Sequence, residues 1–255
     1  MAQKAVSYCL HDTALHDMNS PRNTPIQTAT DLSEGLAHWE PVDEFKVIPE
    51  ISFSKIAFFS SHGGSSARGV IAACGKTLHA SPAVIISNNP DSAIIEFARS
   101  SAIPFEVINI AACGSDYAVQ QRILKRLTES QVDLLILSGY MKKLGADVIS
   151  HYKGRVFNIH PSLLPKFGGR GMYGINVHRA VIEAQEHETG ITVHEVNSNY
   201  DEGRVVAQLR IPVLKGDSPE VLSERVKAQE PAFLVRTLCE MQRRRPQGGA
   251  SNYPG

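Results

Sequence analysis

Asn158 and His160 stand two residues apart at the end of an apolar run, Val156-Phe157-Asn158-Ile159-His160, directly before Pro161. In a strand over Arg155 to Ile159 successive side chains alternate, so Val156, Asn158 and His160 share one face. Pro161 ends the strand because proline has no N–H to give the ladder. An amide and an imidazole thereby reach the carboxyl end of a strand, the edge at which open α/β sheets bind their ligands. Asp201, in Asn199-Tyr200-Asp201-Glu202-Gly203, offers a carboxylate to the same centre.

These residue types suit acyl transfer to an amine. Such a reaction needs donors aimed at the oxygen that gains charge, and a group that manages the proton leaving the nucleophile. Asn158 donates and never titrates. His160 does both jobs if Asp201 keeps it cationic, since an anion nearby raises an imidazole pKa. No serine or cysteine nucleophile is needed. Taken singly, His160 could close a turn and Asp201 could make an Asx turn before Gly203. Together the three are the expected catalytic residues.

A second stretch with chemical potential is Ser60-Ser61-His62-Gly63-Gly64-Ser65-Ser66, between an expected strand and helix. Free amides at a helix N-terminus favour anions and glycine admits close approach, so the stretch could hold a phosphate or carboxylate. A turn that simply needs glycine explains it equally well. It is neither GxGxxG nor a Walker loop, which argues against dinucleotides and nucleoside triphosphates. His194 lies in the alternating run Ile191 to Val196, on the face away from the apolar residues, while His178 and His187 flank a helix. All three are expected to be structural or supporting, with His194 the first exception. No HxxxH or HExxH spacing occurs, and Cys9, Cys74, Cys113 and Cys239 form no CxxC pair, so neither a metal nor a disulfide framework is expected. Lys142-Lys143 reads as a solvated pair at a strand end, where it could meet an acidic ligand.

The elements that must position these groups follow from the apolar pattern. Short apolar runs at Ile56 to Phe59, Ala83 to Ile86, Phe105 to Ile108, Leu134 to Leu137 and Val156 to Ile159 alternate with helical stretches. The helices are expected at Ser66 to Ala73, Ser92 to Ser101, Tyr117 to Ser130 and Gly145 to Ser150, with Asp91 and Asp116 as N-caps. This rhythm predicts an α/β protein with a doubly wound, mostly parallel sheet and helices on both faces. Four glycines among residues 168 to 174 then break the rhythm. A helix over Asn176 to Glu186 follows, then extended runs at Gly190 to Val196 and Arg204 to Pro212. Ser218 as N-cap with Pro219 at the first helical position opens a long helix to about Arg243, bent at Pro231.

With 255 residues and 42% hydrophobic content, the chain can bury a full core. Its 26 basic and 26 acidic residues cancel, so neither nucleic acid nor a membrane surface is expected as a partner. The N-terminus lacks the apolar run of a signal peptide and no segment reaches membrane-spanning length. A cytoplasmic location with reduced thiols is therefore expected. Residues 1–50 read as an appendage, partly ordered or docking through Leu32, Leu36, Trp39, Val42 and Phe45 on the main body or on a second subunit. A homodimer is thus left open. Residues 51–243 are the expected domain and 244–255 a flexible tail.

Four strings, Ser138-Gly139-Tyr140-Met141-Lys142, Asn158-Ile159-His160-Pro161-Ser162-Leu163-Leu164-Pro165-Lys166, Gly190-Ile191-Thr192-Val193-His194 and Asp201-Glu202-Gly203, resemble the folate-dependent formyltransferases. The likeness runs in order from about Lys55 to Arg243. It implies a Rossmann-like formyltransferase fold and a formyl group carried by 10-formyltetrahydrofolate to a primary amine, most like glycinamide ribonucleotide formylation in purine biosynthesis. Asn158 and His160 would then stabilise the oxyanion, with Asp201 holding His160 charged and relaying a proton through water. Met141, Lys142, Leu144, Asn197 and Tyr200 would hold the pterin, Gly64, Ser65 and Ser66 the acceptor's phosphate, and Lys227 and Glu230 the rest of the acceptor. The likeness implies no metal. The chain departs from the family where Gly-Ser-Asn or Gly-Thr-Asn is usual and Gly64-Ser65-Ser66 stands, and at His62, where a small residue is common. Formylation of some other small-molecule amine is the alternative, and an inactive folate-binding protein a further one. A tRNA-directed relative would carry a C-terminal β-barrel and a basic surface, and a formyltetrahydrofolate hydrolase a larger N-terminal domain; neither is expected here.

Overall fold

The structure, a computed structural model, describes residues 43–46 and 48–244. Most of the expected appendage, including Trp39, and the tail beyond Arg244 lie outside the described residues. In chain order the elements are β1 (Asp43–Phe45), β2 (Lys55–Phe59), α1 (Ser65–Ala73), β3 (Ser81–Ser87), α2 (Ala93–Ser100), β4 (Phe105–Val107), α3 (Ile110–Cys113) and α4 (Asp116–Glu129). They continue with β5 (Leu134–Leu137), α5 (Ala146–His151), β6 (Val156–His160), α6 (Ile175–Glu183), β7 (Glu188–Glu195), β8 (Val205–Pro212) and α7 (Pro219–Arg243).

One eight-stranded sheet runs in the order β1-β8-β7-β6-β5-β2-β3-β4. From β4 across to β6 every pair is parallel, and from β6 out to β1 every pair is antiparallel. The division follows the connections. Parallel neighbours need a crossover, which the helices supply, whereas the short link from β7 to β8 suits only an antiparallel hairpin. The sheet also begins earlier than the expected boundary at residue 51, because Asp43–Phe45 pairs with β8 in the register Asp43↔Leu209 to Phe45↔Ala207. Glu44 reinforces that edge by accepting from Arg210 Nε at 2.9 Å.

The chain steps outward from β2 through β3 to β4, then returns to place β5 on the other side of β2. Since crossovers are right-handed, α1 and α2 cover one face and α4 the opposite one. Strand alternation agrees. Ala57, Phe59, Val84, Ile86, Leu135 and Leu137 pack with Val119, Ile123 and Leu127 of α4. Ile56, Phe58, Ile85, Leu134 and Ile136 point the other way and are equally buried. There α1 lies against α7 closely enough that a Cβ on Gly69 would come within 2.5 Å of Pro231 Cβ. Pro231 lies inside α7 and cannot donate to the Lys227 carbonyl four residues back.

Two caps differ from expectation. Ser115, not Asp116, caps α4 by accepting from Ala118 N–H at 3.2 Å. Ser92 precedes α2, because Asn89 makes an Asx turn that ties down Asp91 N–H at 3.1 Å. Ser218 caps α7 as its spacing predicts, accepting from Val221 N–H at 3.3 Å. Among the described residues no helix is long and apolar enough to cross a membrane.

Candidate active site

The parallel strands β2 and β5 mark the point where the winding order of the sheet reverses, which opens a crevice beyond their carboxyl ends, as in other open α/β sheets. Hydrogen bonds stitch its floor: Ser61 N–H donates to Gly139 O at 3.0 Å, and Met141 N–H to Ser61 Oγ at 2.7 Å. Above it lies a cavity of about 1110 Å³. Twelve of the thirteen sequence-predicted site residues line it, the exception being Ser66. Ser66 is fully buried and donates its hydroxyl to Glu230 Oε2 at 2.8 Å, so from behind the wall it positions Glu230, which lines the cavity. Burial raises the Glu230 carboxyl above its ordinary value, while Ser66 and Lys227 oppose the rise.

Asn158 and His160 sit at the carboxyl end of β6, next to β5 on one side and β7 on the other. The antiparallel register sets Asn158 opposite His194 and His160 opposite Thr192. Alternation therefore brings all four side chains to one face. His194 Nδ1–H donates to the Glu195 carbonyl at 3.0 Å, which leaves Nε2 to accept from Asn158 Nδ2 at 3.1 Å. One N–H of the Asn158 amide is thus fixed on His194, and its other N–H remains for a ligand.

Asp201 arrives from the loop between β7 and β8. Its Oδ2 lies 3.7 Å from His160 Nδ1 and its Oδ1 lies 3.5 Å from His194 Nε2. Gly169 N–H donates to Oδ2 at 2.9 Å. The loop between β6 and α6 packs this tightly against Asp201 because of its glycines: a Cβ on Gly168 would stand 2.5 Å from Leu164 Cδ2 and 3.2 Å from Asp201 Cβ. Two residues at the centre hold left-handed backbone, Asp201 at φ 56° and Phe167 at φ 54°. Such conformations persist only where surrounding contacts enforce them. Phe167 thereby turns its carbonyl to accept from His160 Nε2–H at 2.8 Å.

The charge states follow from these contacts. Burial alone would raise the Asp201 carboxyl, yet in the acid range where it titrates the protonated rings of His194 and His160, with the Gly169 amide, outweigh burial and hold Asp201 below its ordinary value. His160 behaves otherwise than expected. Burial, the largest influence, lowers its imidazole below the ordinary value, and the opposing pull of Asp201 and the Phe167 carbonyl does not recover it. The resting ring is neutral at pH 7, with the proton on Nε2 and the Nδ1 lone pair turned toward Asp201. Asp201 does not keep His160 cationic.

The remaining predicted residues form two groups. Met141, Lys142 and Leu144 follow β5, and Asn197 and Tyr200 follow β7; Lys143 Nζ lies 5.5 Å from the Tyr200 ring centroid, so the two loops touch. Gly64 and Ser65 stand at the start of α1, where Gly64 has φ 58° and a Cβ would press within 2.8 Å of Ile94 Cδ1. Lys227 and Glu230 come from α7. Sequence reasoning set His178 aside, yet it lines the cavity from α6 while only 1% exposed. The available signal was its place between Val177 and Val181 on the buried stripe of that helix. Gly169 to Gly174 also line the cavity. Among the described residues no group of three or more His, Cys, Asp or Glu side chains is placed to hold a metal ion.

Comparison with known proteins shows the chain to be similar to formyl transferases. The formyl transferase family matches residues 54–238. A chloroplastic phosphoribosylglycinamide formyltransferase of Arabidopsis thaliana is 37% identical over 191 residues, 73% of this chain and 65% of that one. Phosphoribosylglycinamide formyltransferase of Escherichia coli is 33% identical over 179 residues, 70% of this chain and 82% of that one. The crystal structure of glycinamide ribonucleotide transformylase 1 from Geobacillus kaustophilus superposes with a TM-score of 0.69 at 32% identity, covering 74% of this chain and 99% of that one. The chain spans just under two thirds of the length of the plant relatives, 65% and 66% for two of them.

Proposed function

We propose, on the premise that the chain belongs to the formyl transferase family, that it moves a formyl group from 10-formyltetrahydrofolate to the primary amine of glycinamide ribonucleotide. One observation carries the reading: Asn158, His160 and Asp201 meet on the wall of a cavity of about 1110 Å³. That volume exceeds the roughly 300–1,000 Å³ of a single-ligand pocket and suits two substrates side by side.

The donor is consumed, so it is a substrate, and it supplies a carbonyl carbon open to attack. Its flat ring suits the side of the cavity bounded by Met141, Leu144 and Val196, with Lys142, Asn197 and Tyr200 at the rim. The amine forms a bond to the formyl carbon, the carbonyl oxygen gains negative charge, and the bond to the donor nitrogen then breaks. The free N–H of Asn158 is aimed to stabilise that oxygen. His160 Nδ1 receives the proton lost by the amine and becomes imidazolium beside Asp201, 3.7 Å away. The proton passes on, through water, to the departing nitrogen. His160 is thus a base that becomes charged during the reaction, with Asp201 stabilising the charge when it appears. His194 orients Asn158. Gly64 and Ser65 at the start of α1 take the acceptor's phosphate, with Lys227 and Glu230 beside its remaining part. The unit 51–243 with β1 added, acting in the cytoplasm, completes the reading.

The test follows tetrahydrofolate release by absorbance with 10-formyltetrahydrofolate and competing amines. Release that depends on glycinamide ribonucleotide is the expected result. Formylation of a different amine while glycinamide ribonucleotide is ignored would overturn the acceptor assignment, and no release with any amine would overturn the activity.

A further inference from the structure

His178 is buried on α6, borders the cavity, and has its Nδ1 shut away from solvent without a hydrogen-bond partner. A buried polar atom left unpaired carries its full desolvation cost. Nothing the size of a water reaches Nδ1, so the ring meets the cavity by its other edge, where Nε2 has no bond among the described residues and is left for a ligand.

Its neighbours show where along the wall it sits. Ser66, at the start of α1, donates to Glu230 at 2.8 Å. Lys227 precedes Glu230 by three residues and so shares its face of α7. Lys227 and His160 both lie close enough to act electrostatically on the His178 ring. The wall therefore runs from the start of α1 through Glu230, Lys227 and His178 to the reaction centre. Burial first, then Lys227 and, once acid protonates it, His160 push His178 down to about 4. The ring is neutral near pH 7 and offers one N–H to donate and one lone pair to accept.

An acceptor stretched along this wall meets three kinds of chemistry. Its anionic end finds the start of α1, where Gly64 and Ser65 line the cavity. Its amine must reach Asn158 and His160. Between them stands a neutral imidazole, which matches a hydroxyl, a group that also both donates and accepts.

We propose that His178 determines specificity for the acceptor by hydrogen bonding a hydroxyl of an amine-bearing sugar phosphate, midway between the anion site and the reaction centre. The assignment rests on the formyl-transfer reading. It makes His178 a recognition residue with no part in proton transfer.

Steady-state kinetics with each substrate varied in turn tests it, using wild type, His178→Phe and His178→Gln. Phenylalanine keeps the volume without the nitrogens, and glutamine restores a polar group near Nε2. His178→Phe should raise KM for glycinamide ribonucleotide roughly tenfold or more while KM for 10-formyltetrahydrofolate stays within about twofold, and His178→Gln should recover most of the loss. An unchanged acceptor KM in a folded His178→Phe protein, or a parallel rise in both KM values, overturns the inference alone. Should the phenylalanine variant not fold, nitrogen-detected imidazole spectra of wild type decide: the His178 Nε2 signal must move on adding glycinamide ribonucleotide and stay put with the donor. A signal unmoved by the acceptor overturns the inference. A wild-type protein that does not formylate glycinamide ribonucleotide overturns the functional reading and this inference with it.

Discussion

Two walls of the cavity are built in different ways. One comes from regular elements: His160 ends β6, His194 lies on β7, His178 on α6 and Glu230 on α7, and the three histidines are buried. The other comes from the loops after β5 and β7, where Met141 is 40% and Tyr200 51% exposed. The first wall is held by side-chain bonds to fixed partners, such as His160 to the Phe167 carbonyl and Asn158 to His194. The second is held at its base through Ser61, whose N–H donates to the Gly139 carbonyl and whose hydroxyl accepts from Met141 N–H, and by the contact of Lys143 with Tyr200. A wall of buried polar groups discriminates, because each needs its own partner. A rim of exposed apolar side chains offers area and tolerates change.

The sharpest way to break the contrast is to remove a group from the first wall. His160→Ala and Asp201→Asn should each lower kcat by roughly two orders of magnitude or more, the scale of lost acid–base and electrostatic contributions. Near-normal turnover in both would show that the buried wall does not act on the reaction. Acid should weaken the same wall. The His178 pKa falls from 6.5 unfolded to about 4 folded, so between those values the unfolded chain binds more protons and stability rises with pH. Denaturant titrations from pH 7 to pH 4 should lose up to about 3 kcal/mol through this group, and His178→Phe should flatten the slope. An equally steep slope in the variant would place the loss elsewhere.

Packing around Asp201 comes next in size. A Cβ on Gly203 would lie 1.6 Å from the Glu195 carbonyl oxygen. Gly203→Ala must therefore shift the β7–β8 loop, with an expected cost of about 1–3 kcal/mol in thermal or denaturant unfolding. Unchanged stability would mean that the loop moves freely. The smallest effect belongs to the second wall. Tyr200→Ala should raise KM for 10-formyltetrahydrofolate by only about three- to tenfold and leave kcat nearly unchanged, as expected for loss of uniform binding. A collapse of kcat there would erase the distinction between the walls.

The strands that carry the centre were legible because their periodicity is strong. Val156 to His160, Leu134 to Leu137 and Ile56 to Phe59 are apolar runs that only a covered sheet accommodates, and Asn158 and His160 declare themselves as polar residues within one of them. Asp43–Phe45 was not legible, since three residues show no period and become a strand only by pairing with β8. Asp91 and Asp116 misled as caps because an adjacent serine was available in each case, and local geometry made the choice.

By itself the sequence determined the parallel α/β framework, the amide and imidazole at one strand end, and a carboxylate one loop away. These depend on residue type and short spacing. Tertiary structure alone decided three things: that His194 stands across from Asn158, that Ser66 turns inward to hold Glu230, and that His160 rests neutral. Each depends on register between strands or on depth of burial. Both are set by segments far apart in the chain, and a titration governed by desolvation cannot be read from the charge of one neighbour.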